Sequence, residues 1–200
     1  MGEHAEQMAQ EWKVSREAQD ELALKSHQNL ARAYNDGFFT DLLTPFNGVS
    51  KDNNLRADLT IEKLRTLKPV FDKKVAPGQG TLTAGNSTPL TDGASAVLLA
   101  SEEWAKARNI PVLAYITFSE VAAIDFFNEK EGLLMAPAYA VPRMLERAAL
   151  KLQDFDFYEI HEAFAAQVLC TLAAWESAEF CRERLGLERP LGSIDLAKLN

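Results

Sequence analysis

The chain has 200 residues, 47% apolar and 25% charged, the composition of a folded chain long enough for one hydrophobic core or two partial ones. Its net charge of −8, with Lys73-Lys74 and Arg182-Glu183-Arg184 as the densest basic clusters, argues against a nucleic-acid binder, which needs clustered Lys and Arg for phosphate. No apolar run approaches the roughly 20 residues that span a bilayer, and the amino terminus lacks the charged-then-apolar pattern of a secretory signal.

In chain order, Met1, Ala5, Met8 and Trp12 share one helical stripe, and Ser15 can cap a second run carrying Ala18, Leu22 and Leu30 that Gly37 stops. The turn-formers Pro45, Asn47, Gly48, Asp52, Asn53 and Asn54 predict an irregular excursion from Phe38 to Ala57. A short helix follows from Thr60 to Leu67, ended by Pro69. A strand through Leu82 leads into a polar loop, and Asp92-Gly93 turns the chain into a second strand, Ala94 to Ala100. Ser101 caps a helix from Glu102 to Arg108, and Pro111 to Phe118 is the next strand. A loop from Asp125 to Ala138 then precedes a helix from Val141 to Ala149. The strand Phe155 to Ile160 and the helix Ala163 to about Trp175 come next, the latter apolar on nearly every face and so buried; the remainder is charged, without a clear period. Alternating strands and helices from Leu82 onward predict α/β layers, with the mostly helical first 75 residues as a separate layer or insertion.

Chemistry concentrates in Asp156-Phe157-Tyr158-Glu159-Ile160-His161-Glu162-Ala163-Phe164-Ala165-Ala166-Gln167, which brings His161 and Glu162 to a strand's end facing a helix start. A neutral imidazole there can donate a hydrogen bond to a developing oxyanion or to a water that does so. The plainer alternative is a buried histidine satisfied by a backbone carbonyl. Arg56 is suited to stack on a planar ring or meet phosphate, although one arginine in a polar loop is ordinarily a solvated surface group. Phe71 alone reads as a core aromatic. Ala84 and Gly85 allow close approach of a ligand to the backbone. Cys170 and Cys181 lie eleven positions apart in helical surroundings and suggest neither a disulfide framework nor a metal site. Nothing in the sequence lowers the pKa of Cys170, which reads as a small buried hydrophobe, and His4 and His27 read as rim residues on amphipathic helices.

Three stretches together resemble the thiolase family, enzymes that make or cleave a 3-ketoacyl-coenzyme A: the His161 segment, Thr83-Ala84-Gly85-Asn86-Ser87-Thr88-Pro89-Leu90-Thr91-Asp92-Gly93-Ala94-Ser95-Ala96, and Met1-Gly2-Glu3-His4-Ala5-Glu6. The resemblance runs nearly the whole length. His161 and Leu133-Leu134-Met135-Ala136-Pro137-Ala138-Tyr139 are most similar to the branch of the trifunctional-enzyme β-subunit. It implies a partial thiolase-like α/β fold, with residues 1–75 from the family's loop domain, 76–110 ending its first half and 111–200 beginning its second.

For the site, the resemblance implies that His161 holds the water of an oxyanion hole, with Glu162 a helix-start carboxylate that organises hydrogen bonds. Ala163, Phe164 and Phe71 would line the pantetheine channel, Thr88 would bond a pantetheine amide, Ala84 would let the chain pass, and Arg56 would meet the adenine or phosphates of coenzyme A. The family's nucleophilic cysteine lies upstream of the segment matching Met1, and its Gly-His-Pro histidine and Cys-x-Gly-Gly-Gly cysteine lie beyond that matching Asn200. None of these motifs occurs in the sequence. The expectation is therefore a C-acyltransferase as the parent protein, using coenzyme A as substrate with no metal and no permanently bound cofactor, while these residues alone catalyse nothing. The alternative is a truncated or degenerate coenzyme A-binding or interaction module. Expected partners are acyl-coenzyme A and further subunits in a homodimer or tetramer, together with a multifunctional β-oxidation α-subunit, with no nucleic acid. The expected location is cytoplasmic in a bacterium, or else mitochondrial.

Overall fold

The computed structural model describes residues 1–127 and 132–200. Residues 128–131, part of the loop predicted between Asp125 and Ala138, lie outside them. Helix α1 spans Gly2–Glu11 and α2 spans Arg16–Asn35. The Ser15 hydroxyl accepts the Ala18 N–H at 3.1 Å, the cap expected of it. At the far end Gly37 adopts φ +75°, and the N–H groups of Phe38 and Gly37 donate back to the carbonyls of Ala33 and Tyr34. This left-handed closure satisfies two carbonyls that the helix leaves open. Helices α3 (Ile61–Arg65) and α4 (Glu102–Ala107) are capped in the same way by Thr60 and Ser101.

Helix α5 runs Ala136–Ala148, five residues earlier than the periodicity predicts. Pro137 sits in its first turn, where a missing N–H costs nothing, so the proline that looked like loop instead starts the helix. Helix α6 spans Ala165–Glu176 and α7 spans Ala178–Glu183, the second capped by the Ser177 hydroxyl; no period in the charged tail had indicated α7. Short 3-10 turns occupy Leu152–Asp154 and Leu196–Lys198.

Helix α6 is the centre of the structure and packs on α1, α2, α5 and α7. Its Val168, Leu172 and Trp175 join Leu145, Leu152 and Tyr158. Cys170 and Ala174 join Met8, Met135 and Phe180, and Ala166 joins Ala5, Ala9 and Leu82. Each fully buried Val- or Leu-sized side chain is worth roughly 1.5–3 kcal/mol, so a helix apolar on every face stabilises three clusters at once. At Gly2 a Cβ would overlap the Phe71 ring, so the glycine lets α1 lie directly against that aromatic.

The predicted strands are only partly realised. Tyr158 makes one parallel bridge to Leu199, donating its N–H to the Lys198 carbonyl and accepting from the Asn200 N–H. Thr83 pairs once with Pro69, and Ser87 pairs once with Phe164. Ala94 to Ala100 and Pro111 to Phe118 join no ladder among the described residues, and Val97, Leu98, Leu99, Leu113 and Ile116 are exposed. Extended sequence becomes sheet only when a second segment lies beside it, and no described segment does so here.

Candidate active site

His161 lies between the Tyr158 bridge and α6. Its side chain is exposed and hydrogen-bonds none of the described residues, unlike a core histidine paired to a carbonyl. Phe164 caps α6 in an extended conformation (φ −140°, ψ 131°), so the helix starts at Ala165 and not at Ala163. Glu162 therefore stands outside the first turn, and the expected helix-start carboxylate is corrected to a loop carboxylate on the cleft wall. The reason is local pairing. The Thr88 N–H donates to the Ala163 carbonyl at 2.9 Å and the Ala165 N–H to the Asn86 carbonyl at 3.0 Å, which draws residues 163–164 out alongside 86–88.

A cleft of about 680 Å³ brings together Arg56, Ala84, Thr88, His161 and Glu162 from three separate stretches of sequence. The Arg56 Nη1 donates to the carbonyls of Asn53 and Leu55, which folds the exposed guanidinium back on its own loop. The Arg56 N–H donates to His27 Nδ1 at 3.3 Å, tying that loop to α2. Burial, with the Arg56 guanidinium beside it, holds His27 below the usual 6.5, while Asp52 opposes the shift. His27 thus lines the cleft as a neutral acceptor, a role that its place on an amphipathic helix did not reveal. Thr88 is exposed at the rim, its hydroxyl 3.4 Å from the Pro89 carbonyl.

Phe71, Phe164 and Ala163 are not among the residues lining this cleft. Phe71 and Phe164 meet edge to face, with ring centroids 6.0 Å apart, and pack with Ala163 against the Ala5, Ala9 and Leu82 cluster. They form the apolar support behind the cleft. A second cleft, of about 910 Å³, also contains His161 and Glu162, with Phe38, Phe39, Arg32 and Asn200 along it. His161 therefore faces two openings. Both cysteines are buried and free, and burial pushes the Cys170 thiol up to about 12. Among the described residues no group of His, Cys, Asp and Glu could hold a metal ion.

The family model for the thiolase N-terminal domain matches residues 1–103, and that for the thiolase C-terminal domain matches residues 110–188. This chain belongs to the thiolase family. A 3-ketoacyl-CoA thiolase of Yersinia enterocolitica is 42% identical over 206 aligned positions, covering 100% of this chain and 46% of that relative. Among solved structures, human mitochondrial 3-ketoacyl-CoA thiolase in complex with CoA is 33% identical with a TM-score of 0.75, over 98% of this chain and 44% of its own. The dimeric peroxisomal thiolase of Saccharomyces cerevisiae is 36% identical with a TM-score of 0.74, over 100% and 46%. The chain thus spans about half the length of the relatives it matches and carries a partial thiolase-like α/β fold.

Proposed function

We propose that this chain supplies part of the coenzyme A cleft and one oxyanion-hole member of a thiolase-type acyltransferase acting on 3-ketoacyl-coenzyme A. The observation that carries the reading is the convergence of Arg56, Ala84, Thr88 and His161 on one cleft. In the complete enzyme a cysteine thiolate attacks the 3-keto carbon. His161 holds the water that donates to the resulting oxyanion. The bond between the 2- and 3-carbons then breaks, the electron pair leaves on acetyl-coenzyme A and takes up a proton, and the acyl group remains on sulfur. A second coenzyme A thiolate accepts that acyl group and frees the cysteine. Run in reverse, the same steps condense acyl-coenzyme A units. Arg56 would hold the nucleotide end, Thr88 a pantetheine amide, and Glu162 would orient groups around His161. Ala84 would leave room for the pantetheine chain, with Ala163, Phe164 and Phe71 supporting it from behind. No step requires a metal.

In this reading residues 1–75 form the loop-domain segment, 76–110 the end of the first half and 111–200 the start of the second. The named yeast relative is dimeric, which supports a dimer or dimer of dimers here. An α-subunit as a further partner rests on the resemblance of His161 and of Leu133 to Tyr139 to the trifunctional-enzyme branch alone, and the likeness to a Yersinia enzyme supports a bacterial setting. No described helix is long and apolar enough to cross a membrane.

The test is titration of this chain with coenzyme A, followed calorimetrically. Weak binding that Arg56→Ala weakens further is expected; binding indifferent to Arg56 and to Thr88 would remove the cleft assignment.

A second reading, a coenzyme A-binding or interaction module without chemistry of its own, is favoured by one specific observation: burial keeps the Cys170 thiol protonated, and Cys181 is equally buried. Incubation with a short 3-ketoacyl-coenzyme A and mass spectrometry decides for the chain alone. No turnover and no acyl adduct is the expected result, and an adduct on Cys170 would overturn it.

A further inference from the structure

The Met1 to Glu6 stretch has no part in the chemistry above, yet Glu6 is completely buried on α1. Its Oε2 accepts the backbone N–H groups of Thr81 at 2.9 Å and Leu82 at 2.8 Å, and its Oε1 accepts the Thr81 hydroxyl at 3.0 Å and Gln10 Nε2 at 2.8 Å. Asp20 on α2 is also completely buried, held by Arg16 Nε at 2.7 Å and accepting Asn86 Nδ2 at 2.9 Å. Asn86 in turn donates to the Thr81 carbonyl at 3.2 Å and accepts the Thr83 N–H at 2.8 Å. Its own carbonyl accepts the Ala165 N–H, and two residues on the Thr88 N–H donates to the Ala163 carbonyl.

We infer that Glu6, Asp20 and Asn86 are positioning residues that set the register of the Thr83 to Thr88 loop against the His161 to Phe164 segment. They thereby fix where His161 and Thr88 stand across the cleft. The cost of burying two carboxylates argues for this role. Apolar side chains of similar volume would stabilise the core at least as well, whereas carboxylates that accept only from defined N–H and hydroxyl groups select one arrangement of the loop. Every acceptor oxygen of Glu6 faces a donor, so an amide nitrogen cannot replace either oxygen without meeting another N–H.

The inference rests on the coenzyme A reading for its functional consequence but not for its geometry, so the test reads both. Variants Glu6→Gln and Asn86→Ala of this chain are compared with wild type by residue-resolved amide hydrogen exchange and by coenzyme A titration, below their unfolding midpoints. Because either may fold poorly, Thr81→Val serves as the milder variant, removing only the hydroxyl that links Glu6 to Gln19. The expected result is exchange of the Thr88 and Ala165 amides faster by about 10-fold in the first two variants, and by less in Thr81→Val, with a parallel loss of affinity. A further comparison is Asn86→Asp, which sets two carboxylates together, against the Asp20→Asn/Asn86→Asp pair, in which one is again an amide and slow exchange partly returns. Unchanged exchange at Thr88 and Ala165 in folded variants overturns the inference, even where the thermal midpoint drops. If wild type does not bind coenzyme A, the cleft reading fails, and the positioning claim is decided by the exchange data alone.

Discussion

The indole Nε1 of Trp175 on α6 donates a hydrogen bond, at 3.4 Å, to the carbonyl of Ala138 on α5. That carbonyl is free because Pro142, four residues on, has no N–H to complete the helical bond. The carbonyl left open by a buried proline inside a helix is therefore satisfied by a side chain from the neighbouring helix, and the pair fixes how α5 lies on α6. Trp175→Phe should lower stability by about 1–3 kcal/mol, chiefly by leaving the carbonyl unpaired. Pro142→Ala in the Trp175→Phe background should recover part of that loss, since it restores the helical donor. Thermal midpoints of the four proteins in the cycle provide the check, and independent, additive effects would contradict the pairing.

Ser87 gives the opposite case. Its hydroxyl is buried and has no hydrogen-bond partner among the described residues. Removing an unsatisfied polar atom relieves a desolvation cost, so Ser87→Ala should be neutral or stabilising by up to about 1 kcal/mol. Urea unfolding measures it, and clear destabilisation would mean that the hydroxyl is bonded after all.

His161→Ala, placed in a full-length thiolase that carries these residues, should lower kcat by about 10² to 10³, the usual loss for one oxyanion-hole donor. His161→Asn should be much milder, because an amide can still hold the water. Since the side chain is exposed and hydrogen-bonds none of the described residues, neither change should move the thermal midpoint appreciably. Normal turnover by the alanine variant would eliminate the role.

His27 supplies a pH dependence. Its folded pKa lies below the ordinary 6.5, burial being the larger cause and the Arg56 guanidinium the next. The unfolded chain therefore takes up its proton first on acidification. The stability that neutral His27 contributes is complete above 6.5 and is lost as the pH falls toward and through the folded value. The Arg56 amide resonance, which reports the bond to Nδ1, should titrate with the His27 ring at a midpoint below 6.5, and His27→Phe should abolish that step. A midpoint above 6.5 would contradict the assignment.

The helices were legible wherever a local side chain closes them: Ser15 and Ser101 cap as their position before a helical run suggests, and Gly37 closes α2. Helix α5 was read short because Pro137 looks like loop, whereas a proline in the first turn of a helix leaves no helical bond unmade. The stretches 94–100 and 111–118 carry strand-like residues, but pairing is a relation between segments, and a single segment does not encode its neighbour. In the site, the motif drew attention to His161, which lines the cleft, while Phe71 packs against a core cluster and is not among the residues lining that cleft. Glu6 and Asn86 were invisible as a unit, since a lone acid on an amphipathic helix ordinarily faces water and no spacing rule connects residues eighty positions apart.

The unpaired stretches around Val97 to Leu99 and Leu113 to Ile116 have a consequence for handling the protein. Each offers a row of open backbone donors and acceptors flanked by bare apolar side chains, the template on which foreign strands stack. Solubility of the 200-residue chain should therefore be limited by these two segments and not by its well-capped helices. Lysine substitutions at Val97 and Leu113, both largely exposed, should raise the yield of soluble monomer while leaving the buried helical clusters untouched.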